Sequence, residues 1–354
     1  MTTEPANRAE SERPLLEVRD LSKSYRAEGA GLRMRRRPGV TALRDVSFDI
    51  RRGETVGLVG ESGSGKSTAA SCLLRLIEPD SGSIRFDGID VRGLSRAGLR
   101  RLRARMQMVF QDPYGSLDPR FSVRELVEEP LLVHGERDKE IRRARALQML
   151  ERVGLSAEQA ERNAHAFSGG QRQRIAIARA LVLQPELVAL DEPVTALDVS
   201  VQAQVLNLLT SLQQELNLTY LFIVHDLAVA QYLCHRIAVM YLGEIVELAD
   251  SKELFENPLH PYTVTLLMAA PVPDPDVMDA RRTAFQDMPA VGGGRTDQGC
   301  PLRQRCPVGR RRPECAATRP VLREVSKGHL AACHFPGEMG AAVAAPLSTT
   351  PGSI

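Results

Sequence analysis

Several short segments of the chain carry the apolar patterns that predict β-strands. Residues 15–25, LLEVRDLSKSY, and residues 41–50 each have the pattern of a strand that ends in a turn. Residues 55–59 and the starts of the segments 186–193 and 220–226 are almost wholly apolar. Apolar strands that alternate with helices are typical of a parallel sheet covered on both faces. The pattern therefore predicts an α/β protein.

The helical pattern and the Pro and Gly content then divide the chain. Residues 95–165 are rich in Arg, Leu, Ala and Glu at helical spacing, which predicts a separate helical lobe at about 95–170. Pro and Gly accumulate after residue 258 and mark a linker. We expect a disordered tail at 1–13, a main domain at 14–265, a linker at 266–294, a Cys-rich extension at 295–336 and a second disordered tail at 337–354.

Charge and hydropathy narrow the class of partner. The net charge of +2 over 354 residues gives no argument for nucleic acid or anionic lipid. The basic run at residues 31–40 is interpreted as a solvated hairpin loop, with a contact to nucleic acid or lipid headgroups as the less favoured alternative. Residues 1–14 lack the apolar core of a signal peptide. The most apolar segment, 219–242, is interrupted by charged and His residues, so it does not provide the ~20 consecutive apolar residues that a membrane span requires. We expect a cytosolic protein that meets a membrane only through a partner.

A glycine-rich turn follows the apolar strand at 55–59 and precedes a helical pattern. The sequence GESGSGKS at 60–67 matches the phosphate-loop pattern G-x-x-x-x-G-K-[ST] at every fixed position. Its backbone N–H groups would surround the β-phosphate of ATP, its lysine would reach the β/γ oxygens, and its last serine would ligate Mg²⁺. The residues expected to bind nucleotide here are Gly60, Glu61, Ser62, Gly63, Ser64, Gly65, Lys66, Ser67 and Thr68.

Two adjacent acids follow the next apolar strand, in LVALDE. Asp191 would lie at the edge of the sheet beside Mg²⁺, and Glu192 is the natural general base for a water in line with the γ-phosphate. A solvated loop is the alternative, and the preceding apolar run disfavours it. His225 also ends an apolar strand and Gln111 lies in MVFQDP, but each alone is more often structural.

A second glycine-rich loop, AFSGGQRQR at 166–174, completes a series of motifs that resembles the ABC ATPases. The series comprises the phosphate loop, the SGGQ element, LVALDEP, ALD at 196–198 and single residues between them, and it spans about 15–265. The resemblance implies a RecA-like mixed sheet, an antiparallel β subdomain and a helical signature subdomain. It also implies that two such domains pair head to tail, so that each SGGQ loop closes over the nucleotide of its partner.

The resemblance assigns further roles residue by residue. Tyr25 resembles the aromatic that stacks on adenine, and Gln111 the residue that senses Mg²⁺ and the attacking water. His225 resembles the switch histidine on the γ-phosphate. The residues that resemble the signature loop and the loop that crosses the dimer interface are Ser168, Gly169, Gly170, Gln171 and Asp198.

Two longer segments resemble the ATPases of oligopeptide/dipeptide importers. These are VFQDPYGSLDPR at 109–120 and ENPLHPYTVTLL at 256–267, and the Arg-rich insertion fits the second of two paired ATPases. The resemblance implies peptide uptake, with nickel or another small solute as the alternative. It implies as partners a second ATPase, two membrane permeases and an extracytoplasmic solute-binding protein, with this chain at the cytoplasmic face. A role on nucleic acid or the ribosome is disfavoured because the segment between Gln111 and Ser168 is compact and GKS occurs once.

Four cysteines crowd into the C-terminal extension, whereas Cys72 and Cys234 stand alone in apolar contexts. A disulfide framework is disfavoured in a reducing cytosol, and zinc usually requires tighter cysteine pairs. Four thiolates at loose spacing favour a [4Fe–4S] cluster, with Zn²⁺ or no metal as alternatives. The expected ligands are Cys300, Cys306, Cys315 and Cys333.

Overall fold

The computed structural model describes residues 13–25, 39–195, 197–269 and 298–339, except the side chains of residues 113 and 114. The chain divides into two compact units. As far as they are described, one unit holds residues 13–21, 47–55 and 67–224, and the other holds residues 22–46, 56–66 and 225–339. We refer to them as unit one and unit two.

The strands follow the apolar segments of the sequence. They are β1 (Pro14–Tyr25), β2 (Val40–Arg51), β3 (Thr55–Val59), β4 (Ser81–Phe86), β5 (Ile89–Asp90), β6 (Met106–Val109), β7 (Leu187–Asp191), β8 (Thr219–Val224), β9 (Arg236–Tyr241), β10 (Glu244–Asp250), β11 (Arg323–Ser326) and β12 (His329–Ala331). Every residue of β3, β7 and β8 is buried, as expected for strands covered on both faces.

The helices begin mostly at Ser or Asp residues that cap them. They are α1 (Lys66–Leu73), α2 (Arg96–Arg105), α3 (Pro113–Ser116), α4 (Val123–Val133), α5 (Lys139–Arg152), α6 (Ala157–Ala160), α7 (Gly169–Leu181), α8 (Val199–Leu216), α9 (Leu227–Leu233), α10 (Ser251–Glu256), α11 (Pro261–Ala269) and α12 (Pro313–Ala317), with a short 3₁₀ turn at Ala164–Ala166. In α4, Ser122 and Glu125 form a reciprocal capping box.

Unit one is built on a parallel run of strands in the order β8-β7-β6. Leu187 of β7 lies opposite Thr219 of β8 on one side and Met106 of β6 on the other. Because the strands are parallel, the carboxyl ends of β6, β7 and β8 meet at one edge of the sheet. That edge is where an α/β sheet presents its functional side chains.

A hairpin and an ionic network complete the described part of unit one. Strands β4 and β5 pair antiparallel through a tight turn at Asp87 and Gly88, both with positive φ. Asp87 accepts hydrogen bonds from the guanidinium groups of Arg52 and Arg105, each at 2.6 Å, and Glu186 pairs with the same two arginines. The Arg105 hydrogen bond is the largest effect that lowers the pKa of Asp87. Because Arg105 directly precedes β6 and Glu186 directly precedes β7, the network joins the hairpin to the amino ends of these strands.

Unit two is built on a mixed run of strands in the order β11-β12-β10-β9-β3. Strand β3 pairs parallel with β9, and the remaining neighbours pair antiparallel. The C-terminal strands β11 and β12 therefore extend the sheet that carries β3. The expected mixed sheet and the antiparallel pairing are confirmed.

A buried carboxylate attaches the C-terminal strands of unit two. Glu247 of β10 is completely buried and accepts backbone N–H bonds from Leu259 at 2.7 Å and His260 at 2.9 Å. Its other partner is the buried ring of His329 in β12, with Nε2 2.7 Å from the carboxylate. Burial lowers the pKa of His260 to about 4. One carboxylate thus fixes the 259–260 turn and β12 to the same strand.

The expected helical segment, linker and tails can be compared with the structure only in part. The helical stretch expected at 95–165 is interrupted by β6, which pairs parallel with β7 from Met106 to Val109. Most of the expected linker and both expected tails lie outside the described residues. Within the described residues, no helix is long and apolar enough to cross a membrane.

Candidate nucleotide site

The phosphate loop follows β3 directly and ends where α1 begins. In unit two, the ammonium of Lys66 donates to the carbonyl oxygens of Gly60 at 2.7 Å and Glu61 at 3.0 Å. Lys66 is only 4% exposed. The loop therefore wraps around its own lysine, which holds a positive charge at the centre of a ring of backbone groups.

Two glycines of this loop are required by close backbone contacts. A Cβ on Gly60 would lie 2.2 Å from the carbonyl oxygen of Met240 in β9. A Cβ on Gly65, which has φ +103°, would lie 2.4 Å from the carbonyl oxygen of Ala42. Because both obstacles are backbone atoms, no side-chain movement could make room for a larger residue. The sequence pattern at these positions is a steric requirement of the fold.

In unit one, the next residue of the chain meets the first of the two acids. The hydroxyl of Ser67 donates to Oδ1 of Asp191 at 2.9 Å, and Asp191 is buried at the end of β7. One hydroxyl and one carboxylate are oxygen donors of the kind Mg²⁺ takes from proteins, because this ion fills its remaining positions with water and substrate phosphates. The two residues fit Mg²⁺.

The second acid contacts the side chain of Gln111, which lies just after the end of β6. Glu192 has a left-handed φ of +46°, which is uncommon outside glycine and turns its side chain away from the line of β7. Its Oε2 accepts a hydrogen bond from the side-chain amide of Gln111 at 2.9 Å, and its N–H donates to Ile223 of β8. Gln111 and Glu192, 81 positions apart, are thus brought together at the strand edge of unit one.

The SGGQ loop forms the start of α7 in unit one. The side-chain oxygen of Gln171 accepts from the N–H of Ser168 at 3.1 Å, and the Ser168 hydroxyl accepts from the N–H of Gln171 at 3.4 Å. This reciprocal capping box holds the exposed serine at the helix N-terminus. The arrangement leaves an exposed helix start with the positive end of the helix dipole.

Packing explains the second glycine of SGGQ, whereas the first has room for a Cβ. A Cβ on Gly170 would lie 2.3 Å from a methyl group of Val201 in α8, and one on Gly169 would lie 3.4 Å from Leu197. Helix α8 is itself capped by Asp198, which accepts from the N–H of Val201 at 3.0 Å and from the Ser200 hydroxyl at 2.7 Å. The Ser200 hydrogen bond is the largest effect lowering the pKa of Asp198. The two helix starts therefore pack against each other in one unit.

Tyr25 and His225, the two other residues expected at the nucleotide, each lie at the end of a strand. Tyr25 ends β1, is 40% exposed, and has the ammonium of Lys23 5.8 Å from its ring centre. His225 is exposed and lies between the last residue of β8 and Asp226, the N-cap of α9. Their roles toward the base and the γ-phosphate remain predictions.

The four C-terminal cysteines lie in one region of unit two. A Cβ on Gly309 would be 2.9 Å from Sγ of Cys315 and 3.4 Å from Sγ of Cys306, so these two sulfur atoms lie on the same side of Gly309. Burial is the largest effect raising the pKa of each thiol, to about 11 for Cys300 and about 12 for Cys333.

The expectation of a [4Fe–4S] cluster or Zn²⁺ at these cysteines finds no support in the geometry. Among the described residues, no group of three or more His, Cys, Asp or Glu side chains is arranged to hold a metal ion. Loose spacing along the chain gave no information about where the sulfur atoms point.

Two residues that the sequence analysis did not single out contact the phosphate loop. The hydroxyl of Tyr262 accepts a hydrogen bond from the N–H of Glu61 at 3.0 Å, and the guanidinium of Arg305 pairs with the Glu61 carboxylate at 3.3 Å. Tyr262 lies inside the segment ENPLHPYTVTLL, which resembles the importer group but carries no local signal for this contact. Arg305 precedes Cys306 and carried no signal of its own.

The parallel sheet edge, the phosphate loop, the paired acids and the capped SGGQ helix define an ATP-binding cassette. Residues 43–195 match the ABC transporter family, and residues 246–315 match the C-terminal region of oligopeptide/dipeptide transporters. The chain therefore belongs to the ATP-binding subunits of ABC transporters, in the oligopeptide/dipeptide group. As an ABC ATPase it binds and hydrolyses ATP.

Individual relatives agree along nearly the whole chain. A protein of Brucella ovis, provisionally named a peptide import ATP-binding protein, is 52% identical over 91% of this chain and 98% of its own length. The oligopeptide transport ATP-binding protein AppF of Bacillus subtilis is 46% identical over 92% of this chain and 99% of its own.

Solved structures agree with the cassette part of the chain. The ATP-binding cassette MJ0796, a dimer in a post-hydrolysis state with ADP and Pi, is 32% identical with a TM-score of 0.59, covering 67% of this chain and 98% of that one. The cbiO1 protein of Clostridium perfringens, part of a cbiONQ transporter complex, is 31% identical with a TM-score of 0.60, covering 69% and 91%.

Proposed function

We propose that this chain is the ATP-hydrolysing subunit of an importer that takes up di- and oligopeptides through a pair of membrane permeases. The observation that carries the proposal is the occurrence, in one chain, of a complete nucleotide cassette and the oligopeptide/dipeptide transporter C-terminal region. Relatives with peptide-transport names match both parts together. The permeases would hold the chain at the cytoplasmic face of the membrane.

The proposed hydrolytic roles follow from the contacts in each unit. Lys66 binds the β/γ-phosphates, because the groups it now contacts are carbonyls of its own loop that phosphate oxygens can replace. Ser67 and Asp191 hold Mg²⁺, which when bound neutralises the charge that develops on the phosphates. Glu192 accepts a proton from the attacking water, and Gln111 fixes the orientation of its carboxylate.

We propose a head-to-tail dimer, with a second, different ATPase as the partner. The exposed Ser168 and the N–H groups at the start of α7 offer dipoles to an anion, and in a head-to-tail dimer that anion would be the γ-phosphate of the partner's nucleotide. Asp198 at the start of α8 would line the same interface.

A mixed dimer tests this pairing. With Ser168→Arg in one chain only, we expect nucleotide to be lost from the site opposite the mutant signature, because a bulky cation would fill the partner's phosphate position. Loss from the mutant chain's own phosphate loop would contradict the head-to-tail proposal. Photo-crosslinking of labelled ATP to each chain separately distinguishes the two results.

Reconstitution tests the transport function itself. The chain, its partner ATPase and the two permeases encoded beside it would be placed in proteoliposomes with the solute-binding protein. We expect peptide to stimulate ATPase activity and to accumulate with ATP, and a complex with Glu192→Gln serves as the matched control. Stimulation and uptake with nickel in place of peptide would reassign the solute. ATPase activity that responds to DNA or RNA and not to permeases would overturn the proposal.

A metal centre at the four C-terminal cysteines is kept only as a hypothesis. Its support is only that four cysteines occur in one short stretch of the sequence, from Cys300 to Cys333. Iron, sulfide and zinc analysis of protein purified without oxygen decides it, with Cys306→Ser as the paired variant. Protein without metal, in which all four thiols are alkylated, would remove the hypothesis.

A further inference from the structure

The Cys-rich C-terminal segment reaches back to the phosphate loop through one arginine. The guanidinium of Arg305 approaches both carboxylate oxygens of Glu61, at 3.3 Å and 3.5 Å. The Arg305 side chain is 14% exposed and that of Glu61 is 42% exposed. A two-point contact of this kind is more specific than a single ion pair because the planar fork matches the carboxylate. The pair joins positions 244 residues apart.

Two tyrosines support the same contact. The Arg305 guanidinium lies 5.9 Å from the ring centre of Tyr241, whose hydroxyl also bonds it. The rings of Tyr241 and Tyr262 lie 4.6 Å apart, and the Tyr262 hydroxyl accepts from the N–H of Glu61 at 3.0 Å. Both tyrosines are buried. Glu61 is therefore held at its backbone by Tyr262 and at its side chain by Arg305.

Tight turns in the Cys-rich segment present Arg305 toward the loop. The N–H groups of Arg305 and Cys306 both donate to the carbonyl of Leu302 at 2.9 Å, and the N–H of Cys300 donates to Cys315 at 2.9 Å. Leu302, Cys306 and Cys315 are buried. Because hydrogen bonds fix the backbone on both sides of Arg305, its side chain is held beside the Glu61 carboxylate.

The charge of Glu61 explains why this contact matters to nucleotide. Glu61 is the second residue of a loop whose ligand is a polyanion, and its carbonyl oxygen is one of the groups that hold the Lys66 ammonium. An unpaired carboxylate there would repel the phosphates and compete with them for Lys66. A neighbouring guanidinium removes that charge without occupying the loop.

We propose that Arg305 is a positioning residue of the phosphate loop: it neutralises and holds Glu61, so that the Cys-rich segment sets the affinity of the cassette for ATP. The inference rests on the nucleotide role of the loop. It gives the C-terminal segment a task at the nucleotide site that requires no metal.

Binding of fluorescent MANT-ATP with magnesium to the full-length chain tests the proposal. We expect Arg305→Ala to weaken binding roughly three- to tenfold, a modest loss because the pair is partly exposed. Arg305→Lys keeps the charge but loses the fork, so we expect an intermediate affinity. The matched control is Arg310→Ala, an exposed arginine of the same segment, which should bind as the wild type does.

The second-site variant separates neutralisation from a general structural role. Because the loss in Arg305→Ala comes from the exposed Glu61 charge, adding Glu61→Gln should restore most of the affinity. No change in Arg305→Ala, or no recovery in the double variant, would overturn the proposal. Arg305→Ala is used only if it still shows a thermal unfolding transition. If it does not, Arg305→Lys replaces it: this variant should bind MANT-ATP more weakly than the wild type, and adding Glu61→Gln should restore most of the affinity. No loss, or no recovery, would again overturn the proposal. A wild-type chain that fails to bind MANT-ATP would instead contradict the nucleotide role itself.

Discussion

The molecule contains two glycine-rich loops that open helices, and their glycines serve different physical purposes. In the phosphate loop, Gly60 and Gly65 are required because backbone carbonyl oxygens of other strands lie where a Cβ would be. In the SGGQ loop, Gly170 is required because a single methyl group of Val201 occupies that place. The first loop encloses its own lysine, whereas the second presents an exposed serine. The two loops therefore have a similar composition but different structures: the phosphate loop surrounds a charged lysine, and the SGGQ loop packs against a neighbouring helix.

This difference predicts how well each loop should tolerate substitution of its glycines. A backbone obstacle cannot move without moving a strand, whereas a side-chain obstacle can be removed by a second substitution. The phosphate loop is thus fixed by the sheet of its unit, and the SGGQ loop by the packing of α7 on α8. Four predictions follow the comparison, from the largest expected effect to the smallest.

Glu192→Gln should abolish steady-state hydrolysis while ATP binding persists, with a rate loss of about 10²–10⁴-fold. The reason is that a positioned general base contributes an effect of that size, and Gln111 can still contact an amide at this position. The measurements are phosphate release and MANT-ATP binding. Turnover near the wild-type rate would show that chemistry at the phosphate loop does not depend on this base.

Gly60→Ala should destabilise the protein by more than about 3 kcal/mol, at or beyond the upper end of overpacking costs. Its Cβ would overlap the carbonyl oxygen of Met240 at 2.2 Å, and β9 cannot withdraw without losing its pairing with β3. Urea unfolding of the full chain measures the change. Gly63→Ala is the control for crowding: alanine at its φ of +79° is strained, but no atom lies within 4 Å of its added Cβ, so it carries backbone strain without overlap. A Gly60 variant as stable as that control would contradict the backbone explanation.

Gly170→Ala should cost about 1–3 kcal/mol, the usual range for overpacking a contact. Here the obstacle is a Val201 methyl group at 2.3 Å, so Val201→Ala in the same chain should restore most of the loss. The helix propensity of alanine, which exceeds that of glycine by about 1 kcal/mol, offsets part of the cost equally in the single and the double variant. If the double variant is no more stable than Gly170→Ala, the two loops do not differ in the proposed way.

Ser168→Ala should have the smallest effect, about 1 kcal/mol, from loss of the N-cap of α7. The expected fall in unfolding temperature is roughly 2–4 °C. Ser168→Asp is the control, because aspartate also caps helices and should keep the stability. Restored stability with impaired nucleotide binding in the dimer would separate the capping role from the proposed role toward the partner. Equal stability of all three proteins would exclude the cap as a stabilising contact.

Local chain order made the nucleotide site predictable from sequence. Lys66, Ser67 and Asp191 stand at ends of apolar strands or in a fixed loop pattern, so their places follow from a few neighbouring residues. Gln111 had no such local signal, and only the family resemblance selected it; the structure shows its contact with Glu192.

Features that depend on distant parts of the chain were not predictable. Strand β6 is a four-residue segment, MQMV, whose polar glutamine obscures the pattern, and only its pairing with β7 makes it a strand. The Arg305–Glu61 pair depends on turns around Leu302 that leave no periodic signature. The cysteine spacing predicted a metal, yet spacing along a chain does not fix sulfur directions in space.

The separation of 244 positions between Glu61 and Arg305 also sets an order of events during synthesis. The phosphate loop leaves the ribosome long before the arginine that neutralises it. A nascent chain halted before residue 305 would carry the complete loop with an uncompensated carboxylate, and would hold ATP less firmly than the finished protein. Subunits that lack residue 305 would thus compete poorly for nucleotide.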